Sequence, residues 1–255
     1  MSVADNKVRR LWQAGEPAFC GWMSSSHSIA AELYAKTGYD AVCLDMQHGV
    51  AELCDVPSIM QAIDLHQATP FVRLAELQSA TIMKVLDMGA EGLICPLINT
   101  AKDAARLVEA SSYPPVGGRS YGVTRGRMKG VADYQATANR QIIRFAMIET
   151  AQGLENVSEI CQTEGLDGIF IGPSDLAIAL GYNPGPDLSI SALEEAISHC
   201  FDVAKSAGKK VGIFCVSGTG AAARRKAGFD LVVPSNEIIL MTRILQQELA
   251  SAKDG

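Results

Sequence analysis

Five side chains able to do chemistry stand at or just beyond the ends of short apolar runs. They are Asp45 and His48 in Asp45-Met46-Gln47-His48, Arg73 in Phe71-Val72-Arg73, Glu149 closing Phe145-Ala146-Met147-Ile148-Glu149, and Asp175 in Gly172-Pro173-Ser174-Asp175. Taken singly, each has a plain reading: His48 as a structural hydrogen-bonder, Asp175 as the cap of a short helix over 176–180. A charge inside an apolar run is costly unless paired, however, and Arg73 and Glu149 both sit in one. A cation, an imidazole and three carboxylates brought together on an apolar scaffold read as a site.

Glu149 and Asp175 are hard oxygen donors, and no second His or Cys accompanies them. That set suits Mg²⁺ or Mn²⁺ with open positions rather than zinc. Such an ion can chelate a 2-oxo acid through its carboxylate and ketone oxygens and stabilise the enolate left by carbon–carbon cleavage. Arg73 adds positive charge at the same oxygen. The turn 172–175 opens a short helix, and its N–H groups could hold a substrate carboxylate. Imine chemistry needs a desolvated Lys facing the site, but no lysine ends an apolar run. Asp87 is a further clue. It stands in the last turn of a helical pattern, where the macrodipole disfavours an acid. The placement suggests work elsewhere, such as orienting His48, unless it is simply a tolerated surface acid.

The elements that must position these residues alternate regularly. Continuous apolar runs predict strands at 18–23, 41–45, 71–74, 92–97, 144–149, 168–172, 211–215 and 231–234, buried on both faces. Between them, helix-period segments cover 28–37, 56–67, 79–88, 101–112, 153–164, 191–207, 218–227 and 237–252. Gly38, Gly89, Gly165, Gly208 and Gly228 stand where left-handed helix caps belong. Eight strand–helix units in 255 residues predict one (β/α)₈ TIM barrel spanning 1–255. A doubly wound sheet is the alternative, but no G-x-G-x-x-G follows the first strand. Active groups on a barrel gather at the strands' C-terminal ends, where these five fall. Two inserts exceed a standard unit. One is 114–130, carrying Arg119, Arg125, Arg127 and Lys129 without an acid among them, and it reads equally as anion binding or as a solvated or subunit-interface loop. The other is 173–186, rich in Pro and Gly.

Composition narrows the partners. The hydrophobic share of 48% excludes whole-chain disorder, and a net charge of −6 gives no basic footprint for nucleic acid. No apolar run is long enough for a membrane span. The polar first residues carry no secretory pattern, so a cytoplasmic location is expected. The odd number of cysteines without a CxxC pair reads as seven structural thiols, three of them (Cys54, Cys161, Cys200) on helices.

The chain resembles the HpcH/HpaI family of class II pyruvate aldolases. The resemblance is carried by Asp45-Met46-Gln47-His48, Phe71-Val72-Arg73, Tyr113-Pro114-Pro115-Val116-Gly117-Gly118-Arg119, Ile148-Glu149-Thr150 and the string from Gly168 to Leu176. It implies His48 as catalytic base oriented by Asp45 and Asp87, Arg73 as the transition-state cation, and Glu149 and Asp175 as metal ligands. It further implies that the main chain of Gly172 and Ser174 around Pro173 holds the oxo-acid carboxylate, and that Trp22 forms an apolar wall. Two positions depart from the family pattern: Gln47 replaces a common Glu, and Met147 a common Gln.

The activity implied is that of a metal-dependent aldolase that reversibly cleaves a 4-hydroxy-2-oxo acid into pyruvate or hydroxypyruvate and an aldehyde. It would need Mg²⁺, Mn²⁺ or Co²⁺ and no organic cofactor. The resemblance also implies a homo-oligomer, a hexamer built as a trimer of dimers, with the last helix exchanged between barrels. A citrate-lyase-like or malyl-CoA-lyase-like enzyme is an alternative that needs a CoA groove, with Arg119–Lys129 the cationic candidate. Oxaloacetate decarboxylation passes through the same enolate, and a non-catalytic binding barrel is the alternative of another class.

Overall fold

The computed structural model describes residues 6–129, 133–184 and 190–254. Helix α1 (Lys7–Gln13) leads into β1 (Ala18–Met23), α2 (Ser28–Thr37), β2 (Ala41–Asp45), α3 (Val56–Asp64), β3 (Thr69–Arg73), α4 (Ser79–Asp87) and β4 (Gly92–Cys95). Then come α5 (Ala101–Ser111), α6 (Arg125–Met128), α7 (Tyr134–Gln141), β5 (Ile143–Ile148), α8 (Ala151–Glu155), α9 (Val157–Cys161) and β6 (Gly168–Ile171). The chain closes with α10 (Pro173–Ala179), α11 (Ser191–Ser206), β7 (Lys210–Phe214), α12 (Gly218–Lys226), β8 (Leu231–Val233) and α13 (Glu237–Asp254). The strands form a closed parallel barrel in sequence order, with β1 also pairing β8. This is the (β/α)₈ fold that the alternation predicts.

Strand residues face two ways, and each set has its own core. Outward residues such as Val42, Leu44, Val72 and Ile148 pack under the helices. Inward residues fill the barrel: Cys20 and Trp22, Ala41 and Cys43, Phe71, Ile94, Phe145 and Met147, Phe170, Leu231 and Val233. Large rings fit because glycines face them. A Cβ on Gly92 would stand 2.3 Å from the Phe71 ring, and one on Gly212 would stand 2.6 Å from that of Phe170. A fully buried aromatic contributes on the order of 2–3 kcal/mol, so these pairs carry much of the interior's stability. Helix α1, which hydrophobic periodicity does not reveal, closes the end where the strands begin. Its Val8 and Trp12 join the inner core, and the Trp12 indole donates to the Asp230 carbonyl at 2.8 Å.

Other differences have local causes. The helix predicted over 153–164 is two helices meeting at Asn156, whose side-chain amide donates to the Asn99 carbonyl at 2.8 Å. The insert after α5 folds partly into α6 and α7; residue 130 of it, and residues 185–186 of the Pro/Gly-rich insert, lie outside the described residues. Cys54 is an exposed residue of a turn rather than of a helix, while the other six cysteines are buried, and all seven are free thiols. The five predicted glycine caps all take positive φ, between 70° and 110°. Among the described residues no helix is long and apolar enough to cross a membrane.

Candidate active site

Inward parity carries five of the sequence-selected residues to one end of the barrel. Asp45 and Arg73 are partners in the β2–β3 register, two residues above the Cys43–Phe71 pair. Glu149 and Gly172 follow the paired Ile148 and Ile171 of β5 and β6, so they too stand above the inner core. Trp22 is next to last in β1.

Asp45 organises the first half of the rim. Its Oδ1 accepts from Arg73 Nε at 2.8 Å, and its Oδ2 takes Arg73 Nη2 in a bidentate pair. The same carboxylate accepts the main-chain N–H groups of Gln47 at 3.0 Å and His48 at 3.2 Å. Burial pushes the Asp45 carboxyl up, but Arg73 and the two N–H groups outweigh it and hold it below the ordinary range. Asp45 therefore fixes the backbone of the His48 turn and the orientation of Arg73; its described contacts reach the N–H of His48, not the ring. The Arg73 guanidinium lies 4.9 Å above the Trp22 ring, whose Nε1 donates to Asp45 Oδ2 at 3.4 Å. Only 2% exposed, Trp22 is a floor under Arg73 rather than an open wall. His48 is exposed on the rim. Gly49 behind it can carry no side chain, since a Cβ would lie 2.2 Å from the Asp45 carbonyl.

The second half is acidic. Glu149 is 2% exposed, and its Oε1 accepts the Leu97 N–H at 2.8 Å. Leu97 makes that bond from a left-handed backbone, φ 54°, an uncommon conformation for a leucine that the surroundings must enforce. Burial pushes the Glu149 carboxyl up; the Leu97 N–H opposes this, the nearby Asp175 charge adds to it, and Arg73 opposes it more weakly. Gly172 leaves room for this carboxylate, because a Cβ there would stand 3.0 Å from Glu149 Oε2 and 2.6 Å from Met147 Cε. Met147 itself is buried in the barrel interior. Asp175 is half-buried in the first turn of α10, and Ser174 is exposed.

One sequence expectation needs correction here. The Gly172 N–H donates to the Ile148 carbonyl at 3.3 Å, and Pro173 has no N–H, so neither is available to a carboxylate. The N–H groups of Ser174 and Asp175, which have no acceptor within the first helical turn, are the ones that can bind it.

Asp87 departs further from expectation. It ends α4, just before β4 begins, and so lies at the opposite end of its own barrel from His48. There its Oδ1 accepts from Arg119 Nη2 at 2.7 Å. Two more cations of the insert are likewise paired with acids, and the fourth, Arg127, meets only a neutral hydroxyl. Arg125 pairs with Asp64 at 2.6 Å, Lys129 with Asp64 at 2.8 Å and Glu91 at 2.6 Å, and Arg127 donates to the Tyr121 hydroxyl at 3.1 Å. The sequence showed no acids in this insert because its acids come from the ends of other units.

One residue that sequence reasoning missed is Glu237. An acid at the start of a helix reads as ordinary dipole compensation, yet this one is 7% exposed and its carboxylate reaches the loop after β1. Nothing in the local sequence signals that contact.

The donor chemistry fits a divalent ion. A buried carboxylate, Glu149, whose ionisation the neighbouring Asp175 charge makes costlier, is relieved by a cation between the two. Among the described residues no group of three or more His, Cys, Asp or Glu could hold a metal by itself. Two protein carboxylates with the remaining positions left to water and substrate is a Mg²⁺-type arrangement.

A parallel barrel carrying an arginine, an imidazole and two carboxylates at the strands' C-terminal ends has the plan of a barrel enzyme, and its relatives make it a carbon–carbon lyase. Comparison with known proteins gives the family: residues 19–232 match the HpcH/HpaI aldolase/citrate lyase profile, and the chain belongs to that family. It is 40% identical over 97% of its length to 99% of a hydroxypyruvate/pyruvate aldolase from Rhizorhabdus wittichii. It is 34% identical over 99% of its length to 95% of a 2-keto-3-deoxy-L-rhamnonate aldolase from Salmonella gallinarum. Among solved structures, an HpcH/HpaI aldolase/citrate lyase family protein from Burkholderia cenocepacia superposes with a TM-score of 0.90 at 33% identity, covering 98% of this chain and all of the other.

Proposed function

We propose that the enzyme reversibly cleaves a 4-hydroxy-2-oxo acid into pyruvate or hydroxypyruvate and an aldehyde at this rim. The observation that carries the reading is the pairing of Arg73 with buried Asp45 at the same end as Glu149 and Asp175, with His48 exposed beside them. The names of the two aldolase relatives support the donor class. Glu149 and Asp175 would hold the divalent ion, which when bound supplies electrophilic stabilisation to the oxygens of the oxo acid.

The chain's own groups account for the remaining steps. The Ser174 and Asp175 N–H groups bind the substrate carboxylate. Asp45 takes Nε and Nη2 of Arg73, which leaves Nη1 for the C2 oxygen. In cleavage, the His48 imidazole removes the proton of the C4 hydroxyl, and that O–H pair becomes the aldehyde carbonyl. The C3–C4 pair moves to C2–C3, and the negative charge on the C2 oxygen is met by Arg73. A proton returned to C3 completes the oxo acid.

Three of the insert's four cations, Arg119, Arg125 and Lys129, are paired with carboxylates, which leaves Arg127 as the one described cation of the insert without an acid to meet the phosphates of CoA. This favours the aldolase over the CoA-dependent alternative.

We also assign the barrel to a homo-oligomer. Helix α13 exposes Ile238, Met241, Ile244, Leu245 and Leu249, an apolar surface that a single chain leaves uncovered. A neighbouring copy that covers it also offers the arrangement in which Asp87 can serve His48, since the two stand at opposite ends of one barrel. Pyruvate release from 4-hydroxy-2-oxopentanoate tests the reading. His48→Ala and Arg73→Ala should each lower kcat far more than they raise KM, whereas near wild-type turnover by His48→Ala would refute the assigned base.

A further inference from the structure

The turn that carries His48 is held from two sides, and only one of the struts belongs to the site described above. Asp45 grips the N–H groups of Gln47 and His48 from the barrel side. On the other side, the Val50 N–H donates to the Ser24 carbonyl at 2.9 Å, and side-chain-free Gly49 lies against the same carbonyl. Ser24 lies beyond β1 in a polar loop that has no strand partner of its own. What fixes it is Glu237: one carboxylate oxygen accepts the N–H groups of both Ser24 and Ser25, each at 2.6 Å. Such short bonds to a buried charge are among the stronger hydrogen bonds a protein makes.

A helix-opening acid that served only its own helix would point at that helix's N–H groups. Glu237 points instead to a segment 213 positions away in sequence. Its other oxygen is buried without a hydrogen-bond partner, as are the Ser25 hydroxyl and the Tyr34 hydroxyl. A carboxylate left half unsatisfied is a costly way to close a loop, which marks the contact to Ser24 and Ser25 as the feature being maintained.

We propose that Glu237 is a positioning residue for His48, acting through Ser24 on the Gly49–Val50 side of the turn. The inference rests on the assignment of His48 as the base. Glu237 touches neither Arg73 nor Glu149 in the described contacts, so it governs the proton transfer and not the grip on the oxo acid. An imidazole displaced by about 1 Å can lose on the order of 100-fold in rate.

The test is steady-state cleavage of 4-hydroxy-2-oxopentanoate, with Mn²⁺ supplied, by Glu237→Ala, Glu237→Asp, Glu237→Gln and His48→Ala. Glu237→Ala should lower kcat by about 10–100-fold with KM within about 2-fold of wild type. Glu237→Asp keeps the charge but loses the reach, and should resemble Ala. Glu237→Gln keeps the accepting oxygen and should retain most of kcat. If Glu237→Ala fails to fold, the Asp and Gln variants decide alone: a loss in Asp with recovery in Gln supports the strut. Equal kcat in both, or an effect confined to KM, overturns it. If His48→Ala itself keeps turnover, the base assignment fails and the strut falls with it. If His48→Ala loses turnover while Glu237→Ala and Glu237→Asp keep it, only the strut is wrong.

Discussion

Both ends of the barrel carry charged side chains, and they treat them oppositely. Where the strands begin, charges answer one another across units: Arg9 with Asp167 at 2.7 Å, Lys205 and Lys210 with Asp230 at 2.9 and 2.8 Å, and the insert's cations with Asp64, Asp87 and Glu91. Where the strands end, charges are left with capacity to spare. Glu149 is buried with one described donor, Arg73 keeps Nη1 beyond its pair with Asp45, and His48 stands exposed. Close backbone approaches at Gly49 and a left-handed Leu97 belong to this same end. The first arrangement stabilises the fold; the second holds unsatisfied groups ready for a ligand.

That contrast breaks most visibly at Arg73. Arg73→Ala should lower kcat by about 1,000-fold or more and also destabilise the fold by about 3–5 kcal/mol, because Asp45 is left buried and unpaired. Paired activity and denaturant measurements check both. His48→Ala should separate the two effects, with a kcat loss of about 10²–10⁴-fold and a midpoint nearly unchanged, as expected for an exposed side chain.

Glu149→Gln sharpens the comparison through pH. The folded Glu149 carboxyl titrates above its ordinary 4.5, so its ionised form weakens the metal-stripped fold at neutral pH. The variant, although inactive, should melt higher than wild type at pH 7. The gap should narrow as pH falls through the raised folded value and close below 4.5. Asp45 runs the other way: its folded value is depressed, so its contribution is complete above 3.8 and is lost as pH falls through the lower folded value. A variant that melts no higher than wild type at pH 7 would mean that the acidic half is not held under electrostatic cost. At the opposite end, Arg125→Ala should leave kcat unchanged and cost about 1–3 kcal/mol, the loss of one charged hydrogen bond, since Asp64 keeps Lys129 at 2.8 Å.

The scaffold is legible in the sequence because continuous apolar runs, helix-period segments and glycine caps are local signals. The β1 and β2 bounds and α2 agree with the pattern to the residue, and the remaining strand bounds shift by at most two. Helix α1 is invisible there because its burial comes from the barrel interior rather than from its own periodicity. The positions of Arg73 and Glu149 follow from a charge at the end of an apolar run. Their partners do not. The pairing of Asp45 with Arg73 depends on register, that of Arg119 with Asp87 on the closure of an insert over another unit, and the reach of Glu237 on chain segments more than 200 residues apart. Asp87 is indeed misplaced for its own helix, but its answer within one chain is Arg119.

The central claim is that Glu149 and Asp175 hold a divalent ion for aldol cleavage. Pyruvate release from 4-hydroxy-2-oxopentanoate, followed before and after chelation with EDTA and after adding back Mn²⁺, tests it most directly. Turnover should be lost on chelation and should recover with Mn²⁺ in wild type but not in Glu149→Gln. Turnover that survives chelation, or that Mn²⁺ restores equally in Glu149→Gln, would contradict it.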